Sequence, residues 1–223
     1  MSKWFALNAN TAEISILNDI GMFGVTAEDF HRELRTLGKA KKLRISISSH
    51  GGDVAAGFAI FNMLASHPAH KVVTVNGLAA SMASVIAMAG DEIVMPKNST
   101  LMIHNPWGSI TGESDQIASF AEGLKIMQDN IVAAYQDRTG LPENELRAMM
   151  DKETWLSADS AVEMGFADTI VEPVKMAASA YNLRRFSNVP TDFGSGRKVL
   201  SLSDLHSRAW RRFNSLSRQT RRT

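Results

Sequence analysis

Residues 76–106 read NGLAASMASVIAMAGDEIVMPKNSTLMIHNP, and this stretch decides the fold. It follows the β-rich run Lys71-Val-Val-Thr-Val-Asn76, passes a turn at Gly77 and reaches Ser81. Met82–Ala89, built from small apolar residues, is predicted as a buried helix. A strand at Glu92–Met95 and another ending at His104 follow, and Asn105-Pro106 stops regular structure. Strand, helix and strand in this order predict parallel pairing through right-handed crossovers. Ser81 falls at a strand–turn–helix junction, where free N–H groups and the helix dipole favour a developing negative charge. His104, closing the next apolar run, is placed to act on that serine as its base. Each residue alone has an ordinary explanation, the serine as a helix N-cap and the histidine as a structural hydrogen-bonder. Their combination carries the functional reading.

The flanking chain repeats the pattern. Thr11–Leu17 alternates as a first strand, and Thr26-Ala-Glu-Asp29 resembles a capping box. It opens a helix striped by Phe30, Leu34 and Leu37 that ends near Gly38. Leu43–Ser49 has the period of a strand and runs into His50-Gly51-Gly52-Asp53, a turn whose glycines permit close backbone approach. A helix over Val54–Ser66 follows. Gly51-Gly52, Ser81 and His104 thus all fall just after predicted strands, where parallel sheets carry their sites.

Downstream, Glu113–Arg138 predicts a long helix striped by Ile117, Phe120, Leu124, Met127, Ile131 and Tyr135. Two placements stay open for it: an arm that interdigitates between subunits, or a helix lying across its own domain. Gly140-Leu-Pro142 breaks it. Helices over Glu143–Met150 and Ala158–Met164 and a last strand over Phe166–Val171 complete the predicted elements.

Composition excludes several classes of chemistry. The chain has 223 residues, 44% apolar and 7% aromatic, and no cysteine. Disulfides, thiol catalysis and cysteine-bound metals are therefore excluded. No apolar run approaches the roughly 18 residues of a membrane span, and the N-terminus lacks a signal pattern, so the expected location is cytoplasmic. The net charge of +1 hides an asymmetry, because residues 174–223 hold 11 Lys and Arg against 2 Asp and Glu. The expected organisation is an acidic domain over residues 1–173 and a basic, flexible tail over residues 174–223. The tail is read as solvated, with electrostatic contact to nucleic acid or an acidic protein as the alternative.

Four segments resemble the ClpP serine peptidase family. Ser48-Ser-His-Gly-Gly-Asp-Val54 resembles its Asn-Ser-Pro-Gly-Gly turn, and Gly77-Leu-Ala-Ala-Ser-Met82 its nucleophile segment. Leu101-Met-Ile-His-Asn-Pro106 resembles its histidine segment, and Trp155-Leu-Ser-Ala158 with Gly165-Phe-Ala-Asp168 resembles its ending. The variants at 88–93, 104–107 and 153–155 are similar to the phage and prophage branch of head maturation (prohead) proteases. The resemblance implies an α/β ClpP/crotonase-type spiral fold of repeated ββα units with a long protruding helix. It implies Ser81 as nucleophile, His104 as base and the backbone N–H groups of Gly52 and Met82 as the oxyanion hole. Ungapped alignment puts Glu153 at the triad acid, with Asp151 as the alternative.

The implied activity is a serine endopeptidase working through an acyl-enzyme, without metal or organic cofactor, cutting phage scaffold and capsid precursors. The alternative is a ClpP-like proteolytic subunit serving an unfoldase ATPase. A homo-oligomeric ring is implied for either. Crotonase-like thioester chemistry and an inactive scaffold binding coat protein or nucleic acid are the rival classes. His50 stands where the family has proline, and that substitution releases the turn from proline's constraint.

Overall fold

Alternating apolar residues on three successive strands build the central sheet. The computed structural model describes residues 5–8, 10–38, 40–173, 183 and 186–190. Eight strands form one sheet: β1 (Phe5–Asn8), β2 (Thr11–Ile16), β3 (Lys42–Ser49), β4 (His70–Ala80), β5 (Glu92–Pro96), β6 (Thr100–Ile103), β7 (Thr154–Ser157) and β8 (Thr169–Val171). The order is β1-β2-β3-β4-β5-β8, with β6 pairing β4 and β7 off that path. Pairing is parallel except at β1–β2 and β6–β7. Helices α1 (Ala27–Thr36), α2 (Val54–Ala65) and α3 (Met82–Ala87) connect the successive parallel strands from β2 to β5. This is the mixed α/β, mainly parallel architecture that the alternation predicts.

The core lies where the strand and helix stripes meet. Ile14, Ile16, Leu43, Ile45, Ile47, Val73 and Val75 are buried with Phe30 of α1 and Ile60 and Leu64 of α2. Each such side chain contributes about 1.5–3 kcal/mol by leaving water. The capping signal at Thr26 is realised, since its hydroxyl accepts the Asp29 N–H at 3.0 Å.

Several expectations are corrected. Gly77 does not end a strand: β4 continues through it to Ala80. Gly77 takes φ 116°, a conformation that L side chains resist, and β4 changes partner around it. Val72–Thr74 pair with β5, and Leu78–Ala80 pair with β6. The following helix stops at Ala87, two residues early, and the last strand begins at Thr169 because Phe166 and Ala167 are buried loop residues. Strands β1 and β7 were not expected at all.

The long helix is present as α4 (Ser114–Thr139), with Glu113 and Gln116 forming a capping box and Gly140 closing it in the left-handed conformation. Its buried residues are Ile131, Val132 and Tyr135, all in the C-terminal half. No residue from Ser114 to Asn130 is buried. Helices α5 (Glu143–Asp151) and α6 (Ala158–Glu163) follow. Among the described residues no helix is long and apolar enough to cross a membrane. Contacts group Met1–Asn188 into one unit and Val189–Thr223 into another. The basic tail expected over residues 174–223 lies mostly outside the described residues; of it, 183 and 186–190 are described.

Candidate active site

Strand register assembles the site. Ala80 of β4 pairs with Met102 of β6, and Ile103 of β6 pairs with Thr154 of β7. Ser81 and His104 each follow their strand, while Glu153 precedes its own. Because β7 runs antiparallel to β6, all three fall at one end of three adjacent strands.

Ser81 is held by its backbone. Its N–H donates to Met102 O at 2.9 Å, and Ser84 Oγ lies 2.6 Å from Ser81 O and 3.0 Å from Met102 O. Tyr135 of α4 reaches Ser84 Oγ at 2.8 Å, and burial pushes its phenol well above the ordinary value. The long helix therefore braces the nucleophile segment from behind. Ser81 stands at the N-cap position of α3, yet its side chain makes no capping bond. Instead Oγ lies 2.8 Å from His104 Nε2. The ordinary explanation of this serine, a helix cap, is thereby excluded.

Two carboxylates were open for the acid. Asp151 accepts from Asn105 Nδ2 at 2.8 Å, and Asn105 Oδ1 in turn accepts from Gln128 Nε2 at 2.6 Å. Glu153 Oε2 instead faces His104 Nδ1 at 4.0 Å, with both side chains 11% exposed. That separation exceeds the roughly 2.7–3.2 Å of a hydrogen bond. Its other oxygen, Oε1, accepts from Trp155 Nε1 at 3.3 Å and from the Asn188 N–H at 2.7 Å. Ser81 (φ 56°) and Glu153 (φ 50°) are the two non-glycine residues at positive φ among the described residues. Strain of this kind, about 1–3 kcal/mol per residue, persists where surrounding structure imposes it.

The glycine turn closes the site from the β3 side. Gly51 takes φ 83°, and a Cβ there would lie 2.5 Å from Ala80 O, 2.7 Å from Met82 N and 2.8 Å from Ser81 Cβ. Only glycine lets the turn approach the serine so closely. The turn is also tied down. Gly51 O accepts from Ile20 N at 2.8 Å, Ser49 Oγ donates to Asn18 O at 2.8 Å, and His50 Nδ1 lies 3.1 Å from Asp19 Oδ1. The segment 18–20 thus supplies the fastening that proline's absence removes. Among the described residues, the N–H groups of Gly52 and Met82 have no hydrogen-bond acceptor. A cleft of about 130 Å³ lies beside Ser81, lined by His50, Gly52, Val54, Ser81, His104, Pro106, Trp107 and Phe186. No group of His, Asp and Glu among the described residues is arranged to hold a metal ion.

Sequence reasoning missed Trp155, Phe186 and Asn188 as neighbours of the site. The Phe186 ring meets the His104 ring edge-on at 5.8 Å and the Trp155 ring at 5.6 Å. Phe186 falls in the stretch that charge and scattered apolar residues assign to a tail, so no periodicity marks it.

The class follows from these features together with the comparisons. The Clp protease family profile matches residues 9–174. A Treponema denticola protein named ATP-dependent Clp protease proteolytic subunit 2 is 33% identical over 169 residues, covering 73% of this chain and 83% of the relative. Proteins named ATP-dependent Clp protease proteolytic subunit 1 are also similar. The Chlamydia caviae one is 34% identical over 130 residues, 56% of this chain and 68% of the relative. The Mycobacterium bovis one is 30% identical over 135 residues, 59% of this chain and 67% of the relative. A mainly parallel α/β sheet here brings a serine hydroxyl within 2.8 Å of a histidine nitrogen. The chain belongs to the Clp protease family, as a ClpP-like serine endopeptidase.

Proposed function

We propose that Ser81, His104 and Glu153 form the catalytic triad of this peptidase, with the Gly52 and Met82 N–H groups as its oxyanion hole. The 2.8 Å approach of Ser81 Oγ to His104 Nε2 carries the reading. With Nδ1 protonated, Nε2 accepts the serine proton as Oγ attacks the scissile carbonyl. The carbonyl oxygen gains charge and moves toward the two N–H groups, which are unpaired among the described residues. His104 then protonates the leaving amine, and water, deprotonated by the same imidazole, hydrolyses the Ser81 ester. Glu153 must close on His104 Nδ1 by about 1 Å to hold its tautomer, a tightening common between resting and substrate-bound sites. Glu153 is preferred to Asp151 because it faces the imidazole and Asp151 is engaged by Asn105.

The favoured setting is a ring of several copies in which this chain is the proteolytic subunit. It takes substrates from an ATPase partner, as the names of its relatives suggest. A spiral fold with α4 projecting between copies, a cytoplasmic location and a separate basic tail belong to this proposal. The second reading, head maturation of a phage or prophage by cleavage of scaffold and capsid precursors, is favoured by Met88–Ile93, His104–Trp107 and Glu153–Trp155. Degradation of a folded substrate that requires ATP and a partner separates the first from the second, which needs no nucleotide.

The test of the site is intact-protein mass spectrometry after fluorophosphonate treatment. One adduct on the wild type, none on Ser81→Ala and strongly slowed labelling of His104→Ala are expected. Loss of either residue should lower kcat on a peptide by about 10⁶-fold. Equal labelling of wild type and Ser81→Ala would overturn the assignment.

A further inference from the structure

Phe186, Ser187 and Asn188 follow the last strand and return over the site. The Phe186 side chain, 8% exposed, stacks edge-on against both His104 and Trp155 and lines the same cleft as Ser81. Asn188 is fixed at two points, its N–H on Glu153 Oε1 at 2.7 Å and its Nδ2 on Lys152 O at 2.5 Å. These contacts have two consequences for chemistry. The cleft left beside Ser81 is about 130 Å³. That is well below the roughly 300–1,000 Å³ of sites that enclose a ligand. The carboxylate that should serve His104 accepts two other hydrogen bonds and stands 4.0 Å from Nδ1.

Resting on the serine-peptidase reading, we propose that Phe186–Asn188 is an intramolecular strap that occupies the substrate cleft and holds Glu153 off His104, so that it must leave before catalysis. A substrate chain entering the cleft competes with Phe186 for the face of His104 and for the wall beside Gly52. When Asn188 withdraws, Glu153 is released from one of the two donors that hold Oε1, and Oε2, which already faces His104 Nδ1, is free to close on it. The strap thereby couples two events, opening of the cleft and completion of the triad. A contact that merely sealed the core would have no reason to engage the carboxylate. One that merely positioned the carboxylate would have no reason to narrow the cleft.

The full-length protein tests this through the rate of fluorophosphonate labelling at Ser81, read by intact mass, with thermal unfolding as the check on folding. Phe186→Ala removes the aromatic plug. Asn188→Pro removes the N–H held by Glu153 at an exposed position, and it supplies the test if the buried Phe186 variant does not fold. A strap closed in about nine molecules of ten lowers the apparent reactivity about tenfold, so each variant should label about tenfold faster than wild type. A wild type that labels, with both variants equal to it or slower, overturns the strap and makes Phe186–Asn188 a support of the triad. Absence of labelling in wild type and both variants overturns the serine-peptidase reading, and the strap falls with it. A nearly silent wild type beside reactive variants supports both.

Discussion

Ser81 and Glu153 hold backbone conformations that their side chains disfavour, and they face the two nitrogens of the His104 imidazole, at 2.8 Å and 4.0 Å. The strain at Ser81 is separable from its chemistry. Ser81→Ala keeps the disfavoured φ of 56°, whereas Ser81→Gly adopts it without steric strain, at a smaller entropic cost. The glycine variant should therefore unfold at a higher temperature than the alanine variant, by about 1 kcal/mol of stability, while both lose fluorophosphonate labelling. Equal midpoints would mean that the strain is no larger than the roughly 0.5–1 kcal/mol entropic cost of glycine. For the acid, Glu153→Gln should lower kcat by about 10⁴-fold, because an amide cannot stabilise the imidazolium and favours the wrong tautomer. Asp151→Asn should leave kcat near that of wild type. The reverse ranking in a peptide-hydrolysis assay would transfer the role to Asp151. Ser81 and His104 were legible in the sequence because each is marked by its own strand end and its own local motif. The acid was legible only as a preference, Glu153 by ungapped alignment with Asp151 two residues away as the alternative, because a shift of the loop would exchange them. The antiparallel register of β7 on β6 separates them, and that pairing is non-local.

At the scale of elements, β4 does the organising. Its first half builds the sheet with β3 and β5, and its second half turns to β6 and delivers Ser81 beside His104. A turn at Gly77 was the natural reading of a glycine after the β-rich run Lys71–Asn76. The glycine instead lets a continuous strand bend and change partner, which sequence cannot distinguish from a stop. The Gly51 turn then has to fit against the end of β4. Gly51→Ala should cost about 1–3 kcal/mol, because φ is 83° and the new Cβ meets backbone atoms of Ala80 and Met82 that cannot give way. Activity should fall more steeply than stability, since the displaced turn carries the proposed Gly52 donor. Thermal unfolding and kcat measured on the same preparation check this. An alanine variant as active as wild type would remove the turn from the oxyanion hole. Tyr135→Phe tests the opposite side of Ser81. It removes the phenol bonded to Ser84 and should cost about 1 kcal/mol, with no cavity formed.

For the whole molecule, the informative surface is the N-terminal half of α4. A 26-residue helix that buries only Ile131, Val132 and Tyr135 leaves its earlier turns without a core of their own. Those turns expose Ile117 at 47%, Ile126 at 63% and Met127 at 37%. Helix and stripe were both readable from periodicity. The extent of burial was not, because a stripe facing another copy has the same period as one facing its own sheet. Single exposed apolar residues are ordinary on monomers, but Ile117 and Met127 of the stripe and Ile126 on the far side fit an arm that other copies cover on more than one face. If α4 assembles the proposed ring, Ile126→Glu together with Met127→Glu places charge where apolar contact is needed, while disturbing no buried residue of the isolated chain. The variant should sediment at lower mass than wild type and retain wild-type helical circular dichroism. Because assembly adds to stability by mass action, its unfolding midpoint should also lose the dependence on protein concentration expected of an assembled wild type. A double variant that sediments like wild type would leave α4 an ordinary solvated helix and move the assembly surface to another part of the fold.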